Sequence, residues 1–269
     1  SIFEHLTEDD LYQILKNPNN PIVLGKKLDF AAYGIDVKFE DSVLQMLAKH
    51  AFVENTGARG LVSAVEKALL EFEKRLPSTR IKQFPATSNI IENPDSFIKA
   101  LDASAHDQNS REVFEKLIQD EKDSIKAYLK ANSHNLLEKF SLTMTPARID
   151  IVAGYYVKNP MDIGDVIRKI KSHYDEVKKV ELYFFKNHDI NIVLENDAAD
   201  MIIESLAYES ITQDELQKRL GDDIALGFKL MREKTGKDRF FITRQALIDP
   251  ETFINSLIKA ELKKTQDEK

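Results

Sequence analysis

TGARGL, at residues 56–61, is the most informative stretch of this 269-residue chain. It places Arg59 in the first turn of a helix that we predict over residues 58–76. That position is unfavourable for a cation, because the dipole and the free N–H groups of a helix N-terminus favour an anion. The arrangement is explained if the guanidinium and the helix end bind one phosphate, whose geometry matches the guanidinium fork. The alternative is an ordinary solvated or ion-paired surface arginine.

Three segments together resemble the small lid domain of ClpX-type AAA+ unfoldases. They are LTEDDLYQILKNP at residues 6–18, GIDVKF at residues 34–39, and TGARGL followed by Glu66 and by LPS at residues 76–78. Their order and spacing agree with that family over residues 5–95. The resemblance therefore covers about the first third of the chain.

The resemblance implies a nucleotide-binding role for this part of the chain. In that family the sensor-2 arginine reaches the ATP phosphates from the lid, and Arg59 occupies its position. The lid's first helix is implied to border the adenine. The implied site residues are Arg59, Gly57 and Ala58 at the phosphates and Leu11, Ile14 and Leu15 beside the adenine.

The chain lacks the other motifs of such an ATPase. A P-loop, G-x-x-x-x-G-K-[ST], needs a glycine five residues before its Gly-Lys pair. The two Gly-Lys pairs, at residues 25–26 and 236–237, have Asn20 and Met231 there, and no apolar run ends in Asp-Glu to hold magnesium. No catalytic or metal-binding residue is therefore assigned. We expect a piece of a longer polypeptide that begins at Ser1, just after a large domain holding ATP and Mg²⁺, and that does not hydrolyse ATP alone.

Composition narrows the class of protein further. Hydrophobic residues make up 42% of the chain and charged residues 31%, and the net charge is −7. An acidic balance argues against a nucleic-acid partner. No apolar run approaches the roughly 20 residues of a membrane span. The absence of cysteine excludes disulfides and thiolate metal sites and fits a reducing compartment, so we expect a cytoplasmic protein without a membrane partner.

Hydrophobic patterning divides the chain into three predicted regions. Residues 1–100 form the lid-like block, with helical stripes and a short strand at residues 37–39. Residues 101–145 are highly charged, with apolar residues at three- and four-residue steps, which indicates a packed helix or helical hairpin or, less often, a docking surface. Residues 146–269 form the third region.

The third region resembles a degenerate second copy of the first. The segment IDVKFED at residues 35–41 corresponds to INIVLEN at residues 190–196, an offset of 190 − 35 = 155. PDSFI at residues 94–98 corresponds to PETFI, starting at Pro250, an offset of 250 − 94 = 156. Apolar positions between and upstream of these anchors recur as well. The alternative is two unrelated helix-strand-helix pieces with ordinary amphipathic patterns.

If the duplication is real, the second copy has lost the phosphate site. At an offset of 155, Arg59 corresponds to Asp214, and Thr212 is predicted to cap the helix. Acidic residues at positions 214 and 215 then satisfy the helix dipole internally and repel a phosphate. We therefore expect the second copy to be a structural spacer or a docking module.

Other chemistry finds little support in the sequence. The six histidines are scattered, and none has the ligand spacing of a zinc site. Two aromatic clusters, at residues 155–156 and 183–185, either line a groove or, more commonly, pack against the core.

The sequence thus predicts a predominantly helical α+β fold with two AAA+ lid-like blocks, each with short strands, joined by a helical segment. The resemblance implies the C-terminal portion of a ClpX-like AAA+ ATPase, which couples ATP hydrolysis to protein unfolding. Implied partners are the large domain of the same polypeptide, neighbouring subunits of a hexamer, protein substrates and a protease. The competing hypothesis is a non-catalytic adaptor or scaffold derived from an AAA+ lid.

Overall fold

The computed structural model describes residues 6–103 and 108–267, without the side chains of residues 101–103, 219, 222, 223 and 265–267. The described chain is predominantly helical with short parallel strand pairs, so the predicted fold class is confirmed. It forms two compact units, Ser1–Asn132 with Ala153–Val166, and Ser133–Val152 with Ile167–Lys269. The division of the sequence at residues 100 and 145 stays a prediction, since packing units and sequence domains need not coincide.

The N-terminal unit contains a helical layer and a two-stranded parallel sheet. In chain order its elements are α1 (Glu8–Lys16), α2 (Pro21–Ala31), β1 (Asp36–Phe39), α3 (Asp41–Val53), α4 (Ala58–Arg75), a 3₁₀ turn (Leu76–Ser78), β2 (Gln83–Ala86), α5 (Ser88–Glu92), α6 (Pro94–Ala103) and α7 (Gln108–Ala131).

Local sequence signals explain the boundaries of the first elements. Thr7 and Asp10 form a capping box at the start of α1. Asn20 caps α2, whose first residue is a proline with φ already suited to a helix. Gly34, at φ +70°, turns the chain from α2 into β1.

The inner face of the sheet packs on the core of the unit. Val37 pairs with Phe84 across the two strands, and both are buried. The outer face is also covered, because Lys38 and Pro85 are both buried. Lys38 donates from Nζ to the carbonyl of Val157 at 2.6 Å and lies 3.3 Å from a carboxylate oxygen of Glu121 on α7.

Helix α7 belongs to the N-terminal unit and is not a free connector. Its apolar stripe is buried, as the packed-helix prediction required. The buried side chains of the stripe are Phe114, Leu117, Ile125 and Leu129. Since α7 carries Glu121, it buries apolar surface and completes the ion pairs of the outer sheet face.

The rest of the chain contains α8 (Ser133–Phe140), α9 (Pro146–Lys158), α10 (Ile163–His188), β3 (Asn191–Leu194), α11 (Asn196–Ala207), α12 (Gln213–Arg219), a π turn (Leu220–Ile224), α13 (Ala225–Thr235), β4 (Arg239–Ile242), α14 (Arg244–Ile248) and α15 (Pro250–Asp267). The boundaries between the units fall just before α8, within α9 and within α10. Strands β3 and β4 pair in parallel, as β1 and β2 do.

Both units contain a trio of phenylalanines that share two ring contacts. The trio is Phe72, Phe84 and Phe97 in the N-terminal unit and Phe228, Phe240 and Phe253 in the C-terminal unit, where 228 − 72, 240 − 84 and 253 − 97 all equal 156. The first ring of each trio stacks on the second, with centroids 4.8 Å apart in the N-terminal unit and 4.1 Å in the C-terminal unit. It lies against the third ring at 6.3 Å and 6.4 Å, respectively.

If the predicted duplication is real, the π turn accounts for a change of offset from 155 to 156 between buried residues on its two sides. Before the turn, Leu216 corresponds to Leu61, at an offset of 155, and both side chains are buried. After it, Phe228 corresponds to Phe72, at an offset of 156. A π turn closes each hydrogen-bonded ring with one residue more than an α turn, so it absorbs a single inserted residue without rotating the next turns off the core.

The two units differ before the first strand. The N-terminal unit has two helices there, separated at Asn17 by a turn, whereas α10 is uninterrupted over 26 residues. The predicted correspondence of apolar residues in this part therefore lies on different local structures. Within the described ranges, no helix is both long and apolar enough for a membrane span.

Candidate functional site

The start of α4 has an unusual backbone geometry. Gly57 occupies the cap position with φ +63° and ψ −144°, a conformation that only glycine adopts without strain. No side chain caps this helix, and its first turn carries no acidic residue. In residues 6–103 and 108–267, the N–H groups of Ala58 and Arg59 find no hydrogen-bond acceptor. The helix end therefore keeps free donors and an unneutralised positive dipole.

Gly60 lets α4 approach the end of α3 closely. A Cβ atom at this position would lie 2.5 Å from Oγ1 of Thr56 and 3.2 Å from the carbonyl oxygen of Ala51. The two glycines of TGARGL are thus required for different physical reasons. Gly57 is required by the backbone angles of the cap position, and Gly60 by the close contact between α4 and the end of α3. Both fix where residue 59 emerges from the helix.

Replacing either glycine by alanine is expected to destabilise the N-terminal unit. Gly57→Ala introduces backbone strain of about 1–3 kcal/mol, and Gly60→Ala causes overpacking that costs about 1–3 kcal/mol. Gly25→Ala is the matched control, since Gly25 lies inside α2 with nothing within 4 Å of its Cβ position. That change is expected to stabilise by about 0.5–1 kcal/mol. Urea denaturation measures all three, and equal effects at the three positions would contradict this account.

Arg59 is exposed on the surface of the N-terminal unit. Over the described part of the chain, its guanidinium makes no ion pair or hydrogen bond. Arg75 of the same helix, in contrast, pairs with Asp95 at 2.6 Å. An exposed, unpaired guanidinium beside free helix N–H groups fits a phosphate, because both groups offer donors to the same anion.

The residues implied to border the adenine differ in how deeply they are buried. Leu11 and Leu15 are buried in the core of the N-terminal unit, and Ile14 is half-buried. Leu15 also lines a cavity of about 280 Å³ together with residues of α2, α3 and α7. A contact of these residues with adenine stays a prediction.

The helix start that the predicted duplication matches to TGARGL is satisfied internally. Thr212 caps α12, as the sequence predicted, and Glu215 completes a capping box with it. The hydroxyl of Thr212 accepts from the N–H of Glu215 at 3.2 Å, and a carboxylate oxygen of Glu215 accepts from the N–H of Thr212 at 2.8 Å. With Asp214 in the same turn, this end repels an anion.

A second group of polar side chains lies under α7, and the sequence did not predict it. Glu121 accepts from Lys27 at 2.6 Å, and Lys38 lies 3.3 Å from its other oxygen. Lys27 also sits 5.2 Å above the ring of Tyr156. Burial raises the pKa of the Tyr156 phenol and of the nearby Asp36 carboxyl. The ion pairs are mutually satisfied, so this cluster is structural.

No candidate metal centre is found in the described residues, where no group of three His, Cys, Asp or Glu side chains is arranged to hold a metal ion. Of the aromatic clusters, Tyr155 and Tyr156 are buried, whereas Tyr183 and Phe185 are exposed on either side of buried Phe184. The second cluster splits because successive helical residues point about 100° apart.

Comparison with known proteins assigns the first segment. The family model described as the C-terminal, D2-small domain of ClpB protein matches residues 6–76. The ATP-dependent Clp protease ATP-binding subunit ClpX of Treponema denticola is 36% identical over 100 residues, which are 36% of this chain and 24% of the relative. The ClpX subunit of Borrelia duttonii is 35% identical over 94 residues, 35% of this chain and 22% of the relative.

A more distant relative is the ATP-dependent clpX-like chaperone, mitochondrial, of Saccharomyces cerevisiae. It is 34% identical over 76 residues, which are 28% of this chain and 15% of the relative. The chain therefore spans about a quarter of these relatives or less, and no solved structure matches it. The segment with TGARGL is a C-terminal lid domain of the ClpX type of AAA+ protein.

Proposed function

We propose that this chain is the C-terminal portion of a ClpX-like AAA+ ATPase that couples ATP binding and hydrolysis to protein unfolding. The observation that carries the proposal is the exposed, unpaired guanidinium of Arg59 beside the uncapped start of α4. The names of the relatives, an ATP-binding subunit of a Clp protease and a clpX-like chaperone, support the same class.

In this proposal Arg59 senses the phosphates of ATP. ATP and Mg²⁺ are held by a large domain of the same polypeptide, and Arg59 donates to the phosphates from the lid side, with the N–H groups of Ala58 and of residue 59 adding to the local positive potential. The contact weakens when the terminal phosphate leaves, because a charge-assisted hydrogen bond loses its acceptor. The lid then rotates about its hinge and passes the change to the neighbouring subunit of a hexamer.

Exchanging Arg59 for alanine in the longer polypeptide is expected to lower ATP turnover by about 10²-fold, equivalent to roughly 2–4 kcal/mol of transition-state stabilisation. Arg80→Ala is the matched control, because Arg80 is also an exposed arginine of the N-terminal unit. ATPase and substrate-unfolding rates measure the effect, and circular dichroism checks the fold. Unchanged rates with Arg59→Ala would remove this residue from the mechanism.

We also propose that the C-terminal unit arose by duplication of the lid and no longer faces a nucleotide. The parallel strand pairs, the phenylalanine trios and the offset change at the π turn support the duplication. The capping box at Thr212 supports the loss of the anion site. The unit then serves as a structural or docking module.

The adaptor hypothesis shares this second module but needs no ATPase. The genomic reading frame upstream of the codon for Ser1 separates the two hypotheses. A P-loop and an Asp-Glu motif in that frame are expected for the ATPase, and a frame without them favours the adaptor.

A further inference from the structure

A cavity of about 280 Å³ lies in the N-terminal unit, between the turn that joins α1 to α2 and the middle of α7. Its apolar lining includes Leu15, Phe39 and Ile125. Tyr156 of α9, which belongs to the same unit, also lines it. The cavity suits a small ligand, since the pockets that hold drug-sized molecules occupy about 300–1,000 Å³.

The hydroxyl of Tyr156 is a buried polar group without a protein partner. Tyr156 is only 9% exposed, yet over the described residues its oxygen forms no hydrogen bond. The side-chain atoms that are both unpaired and fully sealed in that part of the chain belong to His173 and His188. The Tyr156 oxygen is not among them, so it is open to the cavity that this residue lines. Because buried polar groups are nearly always paired, an unpaired one that faces a cavity points to a bound molecule.

The phenol is a neutral hydrogen-bonding group in this setting. Burial raises the pKa of Tyr156, and the negative charge of Glu121 raises it further. The hydroxyl therefore stays protonated at neutral pH, where it can both donate and accept a hydrogen bond. It adds no charge to the cavity, so the ionisable side chains of the lining decide which ligand charge is favoured.

Those ionisable side chains leave an excess of negative charge. The lysines that line the cavity, Lys16 and Lys27, are each paired with a carboxylate, at 3.1 Å and 2.6 Å. Asp120 and Asp123 of α7 also line it, and neither forms an ion pair with any residue in the ranges 6–103 and 108–267. Asp123 accepts only a neutral hydrogen bond, from the amide of Gln119 at 2.9 Å. The cavity therefore favours a cation.

The apolar part of the lining specifies the kind of cation. A bare metal ion fits poorly, because no three carboxylate or imidazole groups of the described residues are arranged to hold one. A cation on an aliphatic stem fits better, since its charge can reach the two aspartates while its methylene groups lie against Leu15 and Ile125.

We propose that this cavity binds an alkylammonium ligand that carries a second polar group. The ammonium donates to Asp120 and Asp123, the methylene stem lies against the apolar lining, and the second polar group pairs with the hydroxyl of Tyr156. A free diamine has this chemistry, and so does a lysine side chain with its backbone amide. The inference rests neither on the nucleotide role of Arg59 nor on the proposed duplication.

Isothermal titration calorimetry of the full chain tests the site with two probes. Cadaverine represents a free diamine, and Nα-acetyl-lysine N-methylamide represents a lysine within a polypeptide. Saturable binding of at least one is expected, and the tighter probe identifies the source of the ligand. Salt at about 0.15 M screens non-specific attraction to the acidic chain. Pentanol, which lacks the cation, and ammonium chloride, which lacks the stem, are expected to bind at least about tenfold more weakly.

Replacement of the two aspartates tests the charge contact. Asp120→Asn combined with Asp123→Asn is expected to weaken the tighter probe at least about tenfold, because both charged acceptors are lost. Glu112→Gln combined with Glu115→Gln is the matched control. It removes the same charge from exposed positions of α7 that do not line the cavity, so we expect a change of less than about twofold.

Tyr156→Phe tests the hydroxyl with little risk to the fold. Since the oxygen has no protein partner, the unfolding free energy without ligand is expected not to fall, whereas binding is expected to weaken at least about threefold. Urea unfolding and calorimetry measure the two effects. Arg59→Ala is expected to bind the probes normally, which separates this test from that of the nucleotide role.

Three outcomes would overturn the proposal. The first is no saturable binding of either probe, which would leave water as the partner of the hydroxyl. The second is binding that the paired aspartate replacement or Tyr156→Phe leaves unchanged, which would place the amine elsewhere. The third is pentanol binding as tightly as the amines, which would show that the cavity does not recognise the cation.

Discussion

Deletion of Glu66 from α4 is expected to unfold the N-terminal unit, whereas deletion of Gly221 from the π turn is expected to leave the C-terminal unit folded. Leu61 and Phe72 are 11 residues apart on α4, which places them within about 20° of each other at about 100° per residue. Both are fully buried. Removing one residue between them turns Phe72 about 100° away from the core, and burial of a phenylalanine alone is worth about 3–5 kcal/mol.

The helical stretch from α12 through the π turn to α13 has the opposite expected response, because it has one residue more than α4 between the two buried side chains. Leu216 and Phe228 are 12 residues apart, about 120° on an uninterrupted helix, yet both are buried. The π turn from Leu220 to Ile224 takes up the difference. Deleting Gly221 converts it to an α turn with both side chains still facing the core, so we expect a change in unfolding free energy within about 1 kcal/mol.

Denaturant unfolding of both deletion variants, with circular dichroism in water, measures this difference. A Gly221 deletion that unfolds as completely as the Glu66 deletion would show that the π turn does not absorb an insertion. It would also weaken the proposed duplication, since the offset change would lose its structural explanation.

Asp200→Ala is expected to destabilise the C-terminal unit by about 3–5 kcal/mol, because it leaves a buried arginine without its counter-ion. Arg148 and Asp200 are 2% and 5% exposed. Nε of Arg148 donates to Asp200 at 2.6 Å, and the hydroxyl of Thr145 donates to the other carboxylate oxygen at 2.9 Å. The remaining donors of Arg148 reach the carbonyl of Thr143 and the side chain of Asn196, so the network is satisfied.

Asp95→Ala is the control for burial. Arg75 and Asp95 are separated by the same 2.6 Å, but their side chains are 35% and 79% exposed. An exposed pair contributes only about 0–1 kcal/mol. Urea unfolding of both variants compares them directly, and the double replacement Arg148→Met with Asp200→Leu is expected to recover much of the loss. Equal losses for Asp95→Ala and Asp200→Ala would contradict the role assigned to burial.

Local patterns predicted the long helix of the N-terminal unit but not α2 (Pro21–Ala31), which starts at a proline. The long helix predicted over residues 58–76 is Ala58–Arg75, followed by a 3₁₀ turn that starts at Leu76. The cap at Thr212, predicted for the helix start that the offset of 155 matches to TGARGL, is confirmed. Such features depend on residues within one or two turns, which a sequence displays directly.

Strand β2 was not predicted, because it is only four residues long and contains Pro85. It forms because β1 pairs with it in parallel, although the paired residues are 47 positions apart in the sequence (83 − 36 = 47). The ion pairs of Glu121 with Lys27 and Lys38 were also missed, since these residues are far apart in the sequence and carry no local signal.

The sequence by itself determined the lid-like order of elements and the position of Arg59, because TGARGL combines a glycine-dependent helix start with an arginine in its first turn. Only the tertiary structure decided that this guanidinium stays exposed and unpaired and that α7 covers one sheet face. The physical reason is that exposure and ion pairing depend on which distant segments pack together, whereas caps and helical stripes depend on neighbours along the chain.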